Sequence, residues 1–468
     1  MNARTWGAML LLALVHLVTA LVYHAEMLDR NKPWDANWQA LPIDAMHADF
    51  TESMWYLHAQ PPLFNAAGAL SARLFPQSYM QVMRVGIYGL GMLLAALSYP
   101  VARAVIPRPW AAWLVALVFA ALSPALALVE QLVFYTLPTA FLVTAGAACL
   151  VWHRSRPRLG YLVAFVALWA IIVLLRSAFH LVVMLPVVGF AAVLSESRWR
   201  HMLAVGALIT LLPLGWYAKN QVEFGFFGAS SWGGSNLWKI VKVGYSPAEL
   251  EAFVQAGDLH PIATAQEPFS RPQHYVRFGF DQTSDVDVLS RNDYNNINMI
   301  DISAEYGRGA YTLIRREPLH YLRNVWRAYN RFLDPPYAGI ELYRSDVLTT
   351  HAHIYDELMY GKTLVDNVNR LAGTTVSSWL VVLLPAGLLV YGGRLVWRCR
   401  LAWDRWRGAL RRDPVMIYAA FVITYVTVVS SLFDYGENNR FKVMVEPLLW
   451  VFLIGLVWRL FDDTQNDN

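Results

Sequence analysis

The chain has 468 residues, of which 56% are hydrophobic and only 15% charged, with a net charge of +4. A soluble globular protein carries about a quarter charged residues. Here the apolar residues also run in unbroken blocks, which excludes a cytosolic enzyme, a disordered chain and a fibrous repeat.

A helix that crosses the hydrocarbon core needs about 20 mainly apolar residues. Ten stretches meet that need in chain order: 6–24, 79–102, 109–129, 132–152, 159–175, 178–194, 202–218, 376–396, 414–433 and 442–458. The first begins beside Arg4, and a signal peptide is the alternative reading. No small-residue cleavage site follows, since Val22-Tyr23-His24-Ala25-Glu26 is bulky and polar, so it reads as a retained helix. A polar, acidic loop over 25–78 comes next. Within it, 61–75 starts with two prolines and sets Phe64, Leu70, Leu74 and Phe75 against Asn65, Ser71 and Arg73, the pattern of a helix lying in the membrane interface. The fifth and sixth stretches are short and meet at Arg176. After the seventh, residues 219–375 form a polar segment long enough for a small folded domain, with helical pieces at 247–256 and 302–332. The expected fold is an all-α polytopic membrane protein of about ten transmembrane helices with an extracytoplasmic α or α+β domain. Its parts are a transmembrane module over 1–218, the extracytoplasmic domain over 219–375 and a second transmembrane module over 376–468.

Orientation follows from where Lys and Arg collect in short loops. One set of loops holds Arg4; Arg103 and Arg108; Arg154, Arg156 and Arg158; Arg198 and Arg200; and Arg459. To these it adds the run Arg394, Arg398, Arg400, Arg405, Arg407, Arg411 and Arg412, which reads as a topology anchor against anionic headgroups. That side is expected to be cytoplasmic, with both termini inside. Cys149 and Cys399 cannot build a disulfide framework and read as free thiols.

The opposite face gathers different chemistry. It holds Asp35, Asp44, Asp49 and Glu52 in the first loop, running into Tyr56-Leu57-His58-Ala59-Gln60-Pro61-Pro62-Leu63. Glu130 stands at the outer end of the third stretch, Arg176 at the turn between the fifth and sixth, and Lys219 and Asn220 at the end of the seventh. Asp434-Tyr435-Gly436-Glu437-Asn438-Asn439-Arg440-Phe441-Lys442 joins the last two. Ionisable groups at membrane depth are costly unless paired or wet, so their convergence on one side points to a chemical site. Each also has a plainer reading. Asp49 and Glu52 suit the start of a solvated helix, His58 an interfacial cap, Arg176 a headgroup anchor, and Glu437 with Arg440 a loop ion pair. Trp232 and Trp238 suit either sugar stacking or a core. No phosphate loop, zinc-protease, metal-spaced Cys/His or Gly-x-Ser-x-Gly motif is present.

Three of these places carry a resemblance to the GT-C superfamily of membrane glycosyltransferases, in particular the bacterial protein mannosyltransferase and lipid A aminoarabinose transferase relatives. Tyr56 to Asn65 is similar to that family's His-Pro-Pro-Leu element. Pro213-Leu214-Gly215-Trp216-Tyr217-Ala218-Lys219-Asn220 with Phe224-Gly225-Phe226-Phe227 resembles its proline-to-Arg-Asn-to-Phe-Gly segment. Glu437 to Lys442 with Glu446-Pro447 resembles its late Glu-x-x-Arg motif. The family's adjacent Asp-Glu pair after the first helix is missing here, and Lys219 stands where Arg is common.

The resemblance implies transfer of a sugar from a polyprenyl-phosphate carrier to a glycan, lipid or protein acceptor at the extracytoplasmic face, in the bilayer and without nucleic acid. It implies a catalytic carboxylate among Asp49, Asp44 and Asp35, with Glu52 beside them. Donor phosphate would lie on His58, Arg176, Lys219 and Arg440, and substrate on Gln60, Glu130, Asn220, Trp232 and Glu437. No metal or other cofactor is expected, although the acidic first loop leaves room for a divalent cation. A flippase of a lipid-linked glycan, an O-antigen ligase and a non-catalytic assembly protein are the competing readings.

Overall fold

The computed structural model describes residues 3–26, 34, 37–335, 346–400 and 402–466. Asp35 lies outside them. Among the described residues every regular element is helical and none is a strand, so the regular elements described in the long polar segment are helices.

Seven helices are long and apolar enough to cross a membrane: Ala3–Glu26, Tyr79–Val105, Pro109–Gln131, Thr136–Ser155, Glu196–Phe224, Leu380–Cys399 and Pro414–Phe433. The other three expected spans are helices of a different kind. Leu159–Leu175 has 17 residues, which at about 1.5 Å per residue falls short of a roughly 30 Å hydrocarbon core. Leu181–Leu194 is shorter still. Glu446–Asn466 is long but carries Arg459, Asp462 and Asp463 in its second half. The protein is an all-α, multi-pass membrane protein. The Glu196–Phe224 and Leu380–Cys399 helices leave Leu208, Leu211, Leu212, Val382 and Leu389 exposed, a surface suited to acyl chains and not to water.

The third span is not continuous. Pro124 cannot donate into an α-helical ladder, and Leu117–Ala121 ahead of it relaxes into a π-turn. The carbonyls of Ala120 and Ala121 that this turn frees accept from His16 Nδ1 at 3.1 and 3.3 Å. The other ring nitrogen lies 2.6 Å from Glu130 Oε1, with both side chains fully buried. Gly91 makes room for them, because a Cβ there would overlap the Glu130 carboxylate and the His16 ring. One polar knot thus ties the Ala3–Glu26, Tyr79–Val105 and Pro109–Gln131 helices.

The polar segment has its own core of Trp238, Tyr275, Met299, Ile302, Tyr306, Ala310 and Ala328. Helices Gly233–Val241 and Asn298–Arg316 cross at Gly234, where any side chain would run into the Ser303 carbonyl and Gly307. The next helix, Pro318–Leu333, packs on Pro414–Phe433 and Asn438–Val443. The segment therefore rests on the end of the bundle where Thr136–Ser155 begins and where Leu159–Leu175 and Pro414–Phe433 finish. At the other end lie the Arg-rich turns, with Trp6, Trp110, Trp199 and Trp397 exposed beside them, the aromatic girdle of a membrane–water boundary.

Candidate active site

The site is assembled by a short stretch of chain, 55–60, that is clamped from three directions. Lys219 Nζ donates to the carbonyls of Trp55 and Leu57 at 2.9 and 2.7 Å and lies 3.9 Å from the centre of the Trp216 ring. His58 is fully buried; its Nδ1 meets Ser231 Oγ at 2.8 Å and its Nε2 the Asn295 carbonyl at 3.0 Å. The Asn295 side-chain oxygen accepts from the backbone N–H groups of His58 and Ala59. Asn220 donates to the Gly228 carbonyl and shapes the turn that carries Ser230, Ser231 and Trp232. His58, Lys219 and Asn220 were expected to meet donor phosphate or substrate; the contacts seen here are to the Ser231 hydroxyl and to the backbone carbonyls of residues 55, 57, 228 and 295, which hold the stretch in place. Burial pushes the His58 imidazole down to about 3, which leaves it neutral at any physiological pH.

The clamp presents Gln60 and Trp232 to a narrow cleft of about 90 Å³, whose other walls include Tyr135, Arg176, Lys239, Asp434, Glu437 and Arg440. Arg176 is buried at the end of Leu159–Leu175. Its guanidinium carbon sits 4.8 Å from the Tyr135 ring centre and 4.3 Å from that of Phe441, and one nitrogen donates to Thr136 Oγ1 at 3.2 Å. Burial lowers its pKa to about 10, with Arg440 pushing the same way, so it keeps its charge. Arg440 stands over the Phe134 ring at 5.1 Å and pairs with Glu437 at 2.7 Å. On the facing wall Lys239 holds Asp434 at 3.0 Å. Trp38, at the mouth, stacks on Tyr294 with ring centres 4.9 Å apart, and Trp232 stands edge-on to Phe269.

Among the described residues, two buried polar atoms of this cleft have no hydrogen-bond partner: Gln60 Oε1, an acceptor, and Arg440 Nε, a donor. Buried polar atoms are nearly always satisfied, so an unpaired donor and acceptor on one small cleft mark the place a ligand would complete. The volume holds a few waters or a phosphate-sized group.

The remaining expected residues sit elsewhere. Asp49 is the N-cap of Phe50–Trp55, accepting from the Glu52 backbone N–H at 2.8 Å, and both side chains are exposed. Asp49 lines a separate hollow with Arg73 and does not line the cleft. Asp44 is exposed and pairs with Arg291 at 3.5 Å. Glu130 is sealed against His16 inside the bundle, not at its surface. The structure thus brings together Gln60, Arg176, Trp232, Glu437 and Arg440, and leaves Asp44, Asp49, Glu52 and Glu130 outside the group. It adds Lys239, Asp434, Tyr135 and Trp38. Asp434 shares the Glu437–Arg440 loop and was within reach of sequence reasoning; Lys239 sits on a helix far away in the chain and carried no signal. Among the described residues no three His, Cys, Asp or Glu side chains are grouped to hold a metal ion.

No family model matches the chain, and no curated protein matches it. Among solved structures it is similar to the Archaeoglobus fulgidus oligosaccharyltransferase in complex with Zn and sulfate, at 13% identity and a TM-score of 0.39, covering 96% of this chain and 49% of that one. It therefore spans about half the length of that protein. It is also similar to ArnT from Cupriavidus metallidurans in the apo state, at 14% identity and a TM-score of 0.35, covering 98% of this chain and 78% of that one. The same ArnT bound to undecaprenyl phosphate matches at 13% identity and a TM-score of 0.33, over 98% of this chain and 79% of that one.

Proposed function

We propose that the protein is a membrane glycosyltransferase that moves a sugar from a polyprenyl-phosphate donor to an acceptor at the extracytoplasmic face. The observation that carries this reading is the cleft itself: two guanidiniums, Arg176 and Arg440, share it with the carboxylates Asp434 and Glu437, and one Arg440 N–H has no partner among the described residues. A phosphate leaving group is already a good anion, so it needs positive charge and no proton donor. Arg440, the less buried of the two, offers its guanidinium to those oxygens, and Arg176 supplies a fixed charge behind it. The attacking hydroxyl needs a carboxylate to take its proton. Of the two in the cleft, the Glu437 side chain is 55% exposed and that of Asp434 only 12%, so Glu437 is the one an acceptor reaches. Trp38, exposed at the mouth, offers a flat face for a sugar ring. The exposed apolar spans offer a path for the prenyl chain.

The charges support the outer side of the membrane. The Arg-rich turns lie at the opposite end of the bundle, and the positive-inside rule assigns that end to the cytoplasm. The cleft then faces outward in the plasma membrane, where nucleotide sugars are not expected and a lipid-linked donor supplies the activated sugar. A flippase reading would lean on the His16–Glu130 pair, but both side chains are fully enclosed by three helices.

The test is sugar transfer in membranes supplied with polyprenyl-phosphate sugars. Arg440→Gln should abolish it while the protein is still made and inserted. Full activity in that variant, or a reporter at residue 160 found outside the cell, would overturn the reading.

A further inference from the structure

Asn438-Asn439-Arg440-Phe441-Lys442 lies on the short helix Asn438–Val443, between the Pro414–Phe433 span and the last helix. Arg440 lines the cleft and the Phe441 ring covers Arg176. The other three side chains point to different partners. We propose that Asn439 and Lys442 are positioning residues: by tying this short helix to the end of Pro318–Leu333, they set where Arg440 stands in the cleft. The task given to Arg440 rests on the glycosyl-transfer reading, whereas the tether is independent of it.

Three observations carry the proposal. First, the tether is made by buried polar side chains. Lys442 is fully buried, and its Nζ donates to the carbonyl of Asp334 at 2.7 Å and to that of Leu333 at 3.4 Å. Asn439, also buried, donates from Nδ2 to the Pro335 carbonyl at 3.1 Å. Leu333 and Asp334 end the Pro318–Leu333 helix, where the last carbonyls have no partner within the helix and the dipole presents its negative end. An ammonium group satisfies both needs at once. Second, the charge of Lys442 is not spent on the cleft, which it does not line. Besides the two carbonyls it meets the face of the Tyr360 ring, 3.9 Å from its centre. A buried cation is costly, and an apolar residue would fill the same space, so its presence points to a demand for fixed geometry. Third, the arginine is braced on both sides. Asn439 Oδ1 accepts from the Arg440 backbone N–H at 3.0 Å while its Nδ2 holds residue 335, so one side chain links the two. On the span side, Asn438 Nδ2 donates to the Ser430 and Asp434 carbonyls at 2.7 and 2.8 Å, and its Oδ1 accepts from the Gly436 N–H at 3.0 Å. The backbone of Arg440 is thereby fixed, while its guanidinium is left to meet an anion.

The experiment uses the full-length protein in nanodiscs, well below the Tm of each variant. It reads backbone hydrogen exchange over 434–446 and, by native mass spectrometry, the affinity for undecaprenyl phosphate. Lys442→Met should speed exchange over 434–446, leave it unchanged over 298–316, and weaken binding about tenfold, the scale of coupling within one network. Arg440→Gln keeps Arg176, so residual binding stays measurable. Adding Lys442→Met to it should weaken binding no further, because the lysine acts through that arginine. Asn439→Ala should behave as Lys442→Met does, and it serves if the lysine variant does not fold. Gly91→Ala, destabilised elsewhere in the bundle, should change neither readout. Unchanged exchange in both tether variants overturns the proposal, and so does a binding loss that adds in full to that of Arg440→Gln. A wild type that binds no undecaprenyl phosphate overturns the glycosyl-transfer reading instead, and exchange alone then decides the tether.

Discussion

Lys239 and Asp434 meet at 3.0 Å across the wall of the cleft, one from the Gly233–Val241 helix of the polar segment and the other from the turn that ends the Pro414–Phe433 span. The pair joins two parts of the chain 195 positions apart and holds one carboxylate of the site in place. Because the Lys239 side chain is partly exposed, the pair should contribute little to stability. Lys239→Met is expected to leave Tm almost unchanged while lowering kcat/KM for sugar transfer roughly tenfold to a hundredfold, about 1.4 to 2.7 kcal/mol of transition-state stabilisation. A large Tm loss with unchanged kcat/KM would show the pair to be structural only.

Glu437 and Asp49 make a contrasting pair of carboxylates. Glu437→Gln removes the proposed base and should cost roughly 10² to 10⁴ in rate. Asp49→Ala removes an N-cap, so it should cost about 1 kcal/mol of stability and leave transfer near wild type. Transfer assays and thermal melts on the two variants separate the roles. If Asp49→Ala or Asp35→Asn abolishes transfer while Glu437→Gln keeps it, the base is in the first loop.

His58 gives the fold an acid sensitivity. Its imidazole titrates near 6.5 in the unfolded chain and at about 3 in the folded one, because burial disfavours its cation. The unfolded state therefore binds the extra proton. Stability conferred by the neutral ring is complete above pH 6.5 and is lost as pH falls toward 3, by up to about 1.4 kcal/mol per pH unit. Melting curves at pH 7.5 and 5 should show this loss in wild type and a smaller one in His58→Asn.

The knot between His16 and Glu130 should behave as a structural device. Glu130→Leu leaves His16 buried without its partner and is expected to cost about 3 to 5 kcal/mol, whereas replacing both residues by apolar ones should cost less. Gly91→Ala should destabilise through the same contact. Detergent melts check the order of the three, and transfer per folded molecule should be unchanged throughout.

The pattern of what sequence reasoning reaches is physical. Unbroken apolar blocks identify membrane helices because lipid admits little else, and the arginine turns do mark one common end of the bundle. Glu437 and Arg440 were legible because they lie three residues apart in a short polar loop between spans. Lys219 was not. Read as a free cation, it instead bends inward to carbonyls at 55 and 57, a choice made by tertiary packing that no local spacing encodes. His16 lay silent in an apolar run because its partner is 114 residues away. Asp49 and Glu52 share a helical turn as their spacing suggests, yet that turn faces solvent.

The Tyr135–Arg176–Phe441 sandwich sets a division of labour between the two guanidiniums. In the proposed reaction, a cation held between the Tyr135 ring, just before Thr136–Ser155, and the Phe441 ring, on Asn438–Val443, keeps its field in place before a donor arrives. Arg440, held by one loop carboxylate that it must share with the ligand, is the member that responds. On the proposed function, the loop tunes affinity for the departing anion while the stationary charge keeps the site ready.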